Sequence, residues 1–467
     1  MRRSYWGTRL GFYLAAIGSA FGLGSLWRFP YVVAENGGAA FILLYAALVF
    51  LIGLPLIVGE LLIGKLSRQS LVPAARQTQG DRPGGAFRPP SGEPLDRWLS
   101  KAVTHASRLS LFLCLVVLSY YAVVSGWVLY FFMKYLMAWP GLIAMESSEA
   151  LNLLKSKGWL QVLLASVHLL VVIVVVARDV EEGIERWVGY MMPLFVVLLL
   201  ALIAKSLTLE TNTVALRFLL YPDFSKLTLS SLGHAVGHVF FALSLGFGTM
   251  VTFGSYLRKE SSIPIAGFRV ATLDSFISIF ACLLIFPLVF SISEQVDGPE
   301  MLFKTVPTFF AQIPGGDWLG LAFFLCLYLA SLGASIGLLE TVVANLNDCY
   351  RIPRPKAAWM MGLICFIVAL FPALSSTALS EVTYRGRGFL ELLDAALINW
   401  ILPLLGLVVS LLVSYWMSDK VRRQEFVDAQ SPVSARLYSH WRFALKWIVP
   451  AVIIVSLSLQ AVHLFRN

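Results

Sequence analysis

Residues 191–204 contain no polar side chain, and they belong to one of eleven apolar segments, centred near Gly18, Phe50, Ser119, Leu169, Val197, Leu243, Phe280, Leu329, Phe366, Leu405 and Ile453. About 20 such residues cross the hydrocarbon of a bilayer as a helix. Lipid offers no hydrogen-bond partner, so a crossing backbone must satisfy itself, and the helix does this within one segment. Hydrophobic residues make up 58% of the chain and charged ones 13%, against about 25% charged in soluble proteins. The expected fold class is an all-α integral membrane protein of about eleven spans. The first segment carries Arg9, Arg28 and Glu35 and runs too long for a cleaved signal peptide.

The net charge of +9 reads as topology, not as affinity for nucleic acid. Lys and Arg gather in four places: Arg2, Arg3 and Arg9; residues 65–108; Arg351, Arg354 and Lys356; and residues 420–446. All four share one side if the N-terminus is cytoplasmic, as the positive-inside rule prefers, and eleven spans then leave Asn467 outside the cell (inner) membrane. Cys114, Cys282, Cys326 and Cys365 fall within spans and Cys349 at a cytoplasmic end, so no disulfide or metal cluster is expected. The longest polar stretches, about 64–107 and 419–438, read as cytoplasmic loops. Val306-Pro307-Thr308-Phe309-Phe310 reads as a short helix in the outer loop after the seventh span.

Two spans are interrupted by small residues. Gly18-Ser19-Ala20-Phe21-Gly22-Leu23-Gly24-Ser25 sits in the first, and Leu243-Ser244-Leu245-Gly246-Phe247-Gly248 in the sixth. Such residues serve tight helix packing through Gly-xxx-Gly contacts, or they let the backbone leave the helix where it lines a cavity. Interruptions in matching places of two halves favour the second use and point to a ligand site at mid-membrane. The halves are residues 5–208, spans one to five, and 232–417, spans six to ten; 440–465 is the eleventh span. Five spans per half make the halves inverted repeats, together one domain over 1–467. The free N–H ends of broken helices favour a carboxylate and the free C=O ends a cation.

Ionisable residues within the spans are Arg28, Glu35, Glu60, His168, His234, His238, Asp274, Glu340 and Asp394. At that depth each needs a partner or an ion. Arg28 and Asp394 are expected to pair, Asp274 to face a cation, Glu60 and Glu340 to cap broken backbone, and His168 to hydrogen-bond at a helix contact. His234 and His238 share a helical face at i, i+4, but no third ligand for zinc is suggested. Aromatic walls for a pocket are offered by Tyr120, Tyr121, Phe240, Phe241 and Phe247. No nucleophile–base pair points to an enzyme.

Trp6-Gly7-Thr8-Arg9-Leu10-Gly11, the run from Gly18 on to Trp27-Arg28-Phe29-Pro30-Tyr31, Glu35-Asn36-Gly37-Gly38-Ala39-Ala40-Phe41, Gly183-Ile184-Glu185-Arg186, Ser255-Tyr256 and Leu392-Leu393-Asp394 closely resemble the neurotransmitter:sodium symporter family. The resemblance covers nearly the whole chain. Eleven spans are similar to the shorter bacterial amino-acid branch, whereas the bacterial leucine transporter has twelve. This likeness implies a secondary transporter that moves an amino acid or another small zwitterion by alternating access. Glycine at 22, where monoamine members carry aspartate, leaves room for the substrate's own carboxylate. The implied substrate site is Ala20, Gly22, Gly24, Val117, Tyr121, Phe241, Ser244, Phe247 and Leu338. The implied outer gate is Arg28 and Asp394 with Phe241. The implied inner gate is Arg3 and Asp348, supported by Trp6 and Tyr256.

The departures from the family bear on coupling. The implied first sodium site keeps Ala20 but has Ser25 for Asn and Asp274 for Asn, with Ala242 replacing a hydroxyl residue. The second keeps Gly18, Phe21 and Ala330, while its two hydroxyl ligands are replaced by Gly333 and Ala334. Sodium is hard and takes about six oxygens, so three carbonyls hold it weakly. Ser335, about 100° around the helix, reaches the place only with a local shift. Tyr45 and Ser278 match a chloride-dependent pattern that His238 and Ala242 disrupt, which makes His238, Asp274, Ser278 and Tyr45 a candidate proton or anion site. The open expectations are coupling to sodium at altered sites, coupling to protons, uncoupled transport, and substrate sensing without efficient transport. No other cofactor is expected.

Overall fold

No β-strand occurs among the residues that the computed structural model describes, which are 5–77, 94–138, 147–258, 260–292, 301–382, 389–426 and 432–466. The principal helices are α1 (Arg9–Ala20), α2 (Gly24–Glu35), α3 (Ala39–Ser67), α4 (Pro94–Ala138), α5 (Gly158–Val176), α6 (Val180–Ser206), α7 (Leu229–Ala242) and α8 (Thr249–Ser255). They are followed by α9 (Ile263–Phe290), α10 (Gly316–Tyr350), α11 (Arg354–Ala373), α12 (Leu392–Trp416) and α13 (Ala435–Val462).

Nine helices among the described residues are long and apolar enough to cross a membrane, and α1 with α2, bent by 46° at their junction, make a tenth. The expected sixth span, centred on Leu243, consists instead of α7 and α8, of 14 and 7 residues. Neither reaches the roughly 20 residues that a crossing needs. By length and composition nine spans, or ten with the bent pair, are counted among the described residues, and the expected span centred on Leu243 falls outside that count because its break covers 243–248.

Packing sorts the helices into groups. α4, α5, α10 and α11 pack on one another, whereas α3 packs against α8 and α9. The α3–α8 contact is made backbone to backbone. A Cβ on Gly254 would stand 2.6 Å from the Leu61 carbonyl oxygen, and one on Gly64 would fall onto that of Val251. α1 lies against α10, α6 and α9, so its break is held deep in the protein. The apolar stretch of α4 is 83% buried and that of α13 only 22%, which makes α4 a central helix and α13 a peripheral one whose apolar side is left for lipid.

The polar stretch at 64–107 differs from the expected loop. α3 continues to Ser67, a short helix spans Leu71–Arg76, and α4 begins at Pro94. The short helix is capped from a distance: Ser70 N–H donates to Asp348 Oδ2 at 2.8 Å and Val72 N–H to Asn345 Oδ1 at 2.9 Å. The second polar stretch likewise holds a helix, Asp419–Phe426. The outer segment read as a short helix is Met301–Gln312.

Candidate substrate and ion site between two broken helices

α1 stops at Ala20 because Phe21 turns extended, with φ −84° and ψ 104°, and the helix resumes at Gly24 through a π-turn. The freed Leu23 N–H donates to Tyr121 Oη of α4 at 2.6 Å. Between α7 and α8 the backbone passes through left-handed conformations at Ser244 (φ 52°), Gly246 (80°) and Gly248 (80°). Glycine makes this possible at two of the three, since a side chain there adds strain. Ser244 holds the strained conformation and places its hydroxyl on the Ser19 carbonyl of the first break at 3.0 Å. Glu60, fully buried on α3, accepts the Gly246 N–H at 2.8 Å, the backbone-capping role expected of it.

Between the breaks lies a small, partly open cavity. Ala20, Gly22, Gly24, Tyr121, Phe241, Ser244, Phe247 and Leu338 line it, together with Ser19 and Ala334, which the sequence reading did not include; Val117 is buried on α4 and does not line it. The glycines keep the space open. A Cβ at Gly22 would fall onto Tyr121 Oη and stand 2.7 Å from Ala334 Cβ, and one at Gly24 would stand 2.5 Å from the Phe241 ring. The lining therefore combines main-chain groups at two helix breaks, three hydroxyls (Ser19, Tyr121 and Ser244) and an apolar wall.

A cluster of polar atoms without hydrogen-bond partners lies beside α2. Asp274 of α9 is fully buried and accepts only from Tyr45 Oη, at 3.4 Å to Oδ2. Asp274 Oδ1, Ser25 Oγ, Ser278 Oγ and both ring nitrogens of His238 make no hydrogen bond among the described residues. His238 stacks on Phe29 with centroids 4.7 Å apart and tilts against Tyr45 at 5.2 Å. Unsatisfied buried polar groups are costly, and hydroxyl and carboxylate oxygens are the donors that a hard cation takes. The residues at the first implied sodium site thus fit a cation.

Those at the second do not. A Cβ at Gly333 would fall onto the Gly18 carbonyl oxygen, and one at Gly337 onto Ser19 Oγ. Ala334 faces the cavity. Ser335 turns to α5, where its hydroxyl meets His168 Nε2 at 2.8 Å, the helix contact expected of that histidine. α10 thus meets α1 through glycine, and Gly333, Ala334 and Ser335 bring no hydroxyl to Gly18.

Polar contacts form among the residues expected at the two gates. At one, Arg28 Nε donates to Asp394 Oδ2 at 3.3 Å, Tyr120 Oη to Asp394 Oδ1 at 3.2 Å, and Arg28 Nη2 to Asn399 Oδ1 at 3.3 Å. At the other, Trp6 is buried, its N–H donates to the Tyr256 carbonyl and its indole Nε1 to that of Phe253 at 3.1 Å. Arg3 lies outside the described residues. Asp348 caps the Leu71–Arg76 helix.

Glu340 corrects the sequence reading. It caps no broken backbone; it is fully buried and forms a two-pronged ion pair with Arg354, at 2.9 and 2.6 Å, and accepts from Tyr256 Oη at 2.6 Å. α10 ends when Arg351 turns left-handed (φ 58°), and Pro353 follows, so the chain folds back and brings Arg354 beside Glu340. That end signal is readable in the sequence, though the pairing is not. Glu185 of α6 was likewise missed: it accepts from Gly7 N–H, Thr8 N–H and Thr8 Oγ1 at 2.7, 2.9 and 2.7 Å and so caps α1 from another helix.

A many-helix membrane protein with a small polar-and-apolar cavity between two broken helices has the architecture of a secondary transporter. The model of the sodium:neurotransmitter symporter family matches residues 3–77 and 142–466. An uncharacterised sodium-dependent transporter of Bacillus subtilis, YhdH, is 33% identical over 98% of each chain, and one of Haemophilus influenzae is 28% identical over 97% of each. The sodium-dependent neutral amino acid transporter B(0)AT2 of Bos taurus is 27% identical over 61% of this chain and 40% of its own length. The crystal structure of MhsT in complex with L-phenylalanine matches with a TM-score of 0.86 and 32% identity, over 98% of this chain and 100% of that one. The chain belongs to the sodium:neurotransmitter symporter family.

Proposed function

We propose that this transporter carries an amino acid or close analogue across the cell membrane by alternating access, in symport with one cation. The observation that carries the reading is the small cavity held between two helix breaks and lined by both. The substrate carboxylate takes the Leu23 N–H and the Tyr121 hydroxyl, and the carbonyls of Ala20, Phe241 and Ser244 receive the ammonium. Phe247, Ala334 and Leu338 bound an apolar side chain. Two similar proteins support this substrate class, B(0)AT2, a neutral amino acid transporter, and MhsT, whose crystal structure holds L-phenylalanine.

The cation is sodium, held by the Ala20 carbonyl, Ser25 and Asp274. The loss of both hydroxyls beside Gly18, Phe21 and Ala330 limits coupling to one ion per substrate. A second reading has a proton in place of sodium, carried by Asp274 and His238 with Tyr45 and Ser278 near by; the unpartnered nitrogens of His238 favour it. Arg28 with Asp394, under Phe241, forms the outer gate. Trp6, Tyr256 and Asp348, with Arg3, form the inner gate, to which Glu340 and Arg354 are added. The N-terminus is cytoplasmic, and residues 5–208 and 232–417 are the inverted repeats that rock against each other. Two gates around one site suit a carrier better than a channel or a sensor.

The test is equilibrium binding of an amino-acid panel to purified protein, with sodium, potassium or choline as the sole cation, at two pH values. Sodium-dependent binding with a Hill slope of one is expected. Binding that ignores sodium but follows pH replaces sodium with the proton, and a slope of two overturns the single ion. Absence of binding by every amino acid overturns the substrate class.

A further inference from the structure

Arg28 is held by more than Asp394. Its side chain is 3% exposed, and one edge of a guanidinium, Nε with Nη2, is a fork that a single carboxylate can take whole. Here the fork is divided. Nε donates to Asp394 Oδ2 and Nη2 to Asn399 Oδ1, each at 3.3 Å, while the other Asp394 oxygen accepts from Tyr120 Oη. Two residues five apart on an α-helix point about 140° away from each other. The turn Leu397–Ile401 is a π-turn instead, closed by Leu402 N–H on the Leu397 carbonyl. Its wider winding swings Asn399 back toward the face that carries Asp394.

Neighbouring helices fix that turn. Pro403, four residues on, has no N–H to give the Asn399 carbonyl. Gln460 of α13 supplies one, its Nε2 donating to that carbonyl at 3.2 Å. α7 packs on α13 and leaves room for both amides. A Cβ at Gly237 would stand 2.7 Å from Asn399 Oδ1, and one at Gly233, a turn earlier, 2.7 Å from Gln460 Cγ. α13 is otherwise peripheral, with most of its apolar stretch left for lipid. A polar amide on such a helix serves a contact between helices, and this one ends at the Arg28 clamp.

We infer that Asn399 is a positioning residue of the outer gate, holding the Arg28 guanidinium edge-on to Asp394, and that Gln460 sets Asn399 in place. The inference rests on the reading of Arg28 and Asp394 as that gate. It makes α13, which lies outside both proposed repeats, a part of gating. Arg28 Nη1 already has no hydrogen-bond partner among the described residues. Without Asn399 Oδ1, Nη2 joins it, and a buried donor left bare favours the state in which water reaches it. That state is the open gate.

The experiment uses the purified full chain carrying Ala334→Cys on the cavity wall. Alkylation of that position by iodoacetamide, read by peptide mass spectrometry, follows access to the cavity without any substrate. Asn399→Leu, of similar volume, should speed alkylation about ten-fold, the effect of losing one hydrogen bond to a charged group. Asn399→Asp keeps the oxygen and should leave the rate at or below that of the parent. Gln460→Met should speed it about five-fold, and N399L with Q460M no further than N399L alone. Asp394→Asn separates the two readings. If it leaves the rate unchanged, the gate reading falls and this inference with it. If D394N is faster and N399L is not, this inference falls alone. N399D as fast as N399L reduces Asn399 to packing, and additive effects of N399L and Q460M detach Gln460 from the clamp; either overturns the assignment.

Discussion

Gly333 lies so close to Gly18 that any other residue at 333 would set its Cβ on the Gly18 carbonyl oxygen. The contact joins α10 to the first helix break at the place where the family resemblance puts a second cation. Gly337, one turn on, makes the same kind of approach to Ser19. Direct backbone packing through small residues, a recurrent way to join helices in lipid, stands here in place of coordination.

Restoring the hydroxyls should therefore fail to restore an ion site. Gly333→Thr with Ala334→Ser pushes α1 and α10 apart, an overpacking expected to cost about 1–3 kcal/mol. Thermal unfolding in detergent should show the loss, and the Hill slope for sodium should stay at one. A rise of the slope to two with stability retained would mean that the helices can part to admit an ion.

Gly22 and Tyr121 form one unit with the Leu23 N–H. Tyr121→Phe removes the hydroxyl that the substrate carboxylate takes, a hydrogen bond to a charged group worth about 1.5–3 kcal/mol, and substrate affinity should fall by roughly ten-fold or more. Gly22→Ala should weaken binding as well, because its methyl displaces the Tyr121 hydroxyl. The double variant should be hardly worse than G22A alone, since both remove the same contact. Additive losses in isothermal titration would argue that the two residues act separately.

Asp274→Asn tests the ion. The neutral amide keeps the volume and removes the charge. Apparent sodium affinity should drop by at least the roughly 10–100-fold that follows loss of even a supporting group at a metal site. Substrate binding measured against sodium concentration reads this directly, and an unshifted sodium curve would remove Asp274 from the cation site.

The Glu340–Arg354 pair should behave as a buried ion pair does. Glu340→Ala strands the Arg354 guanidinium, at a cost of about 3–5 kcal/mol, whereas Glu340→Leu with Arg354→Met should recover most of it. The melting temperature of the pair relative to the single variants decides this. A single variant as stable as the wild type would contradict the geometry.

Much of the site was legible because it rests on local backbone chemistry. Both breaks fall within the runs of small residues at 18–25 and 243–248, since glycine and serine are what a spanning helix needs in order to open. The pairing of Arg28 with Asp394 followed from the cost of leaving either charge alone in lipid. Contacts closed by tertiary folding were not legible. Glu185 caps α1 across some 177 residues of chain, and the Leu71–Arg76 helix is held by Asn345 and Asp348 rather than by its own sequence. That helix, six residues long, therefore read as loop. Glu340 looked like a cap because its partner comes from beyond a helix end.

The hydroxyl of Ser244 reaches the carbonyl of Ser19 without help from any passenger. Two helices whose own continuity is broken are thus buttoned to each other at the point of breakage. On the proposed cycle this means the empty carrier need not fall slack between deliveries. Its two gaps move as one hinge pin, and the return stroke keeps the alignment that the next molecule of cargo will meet.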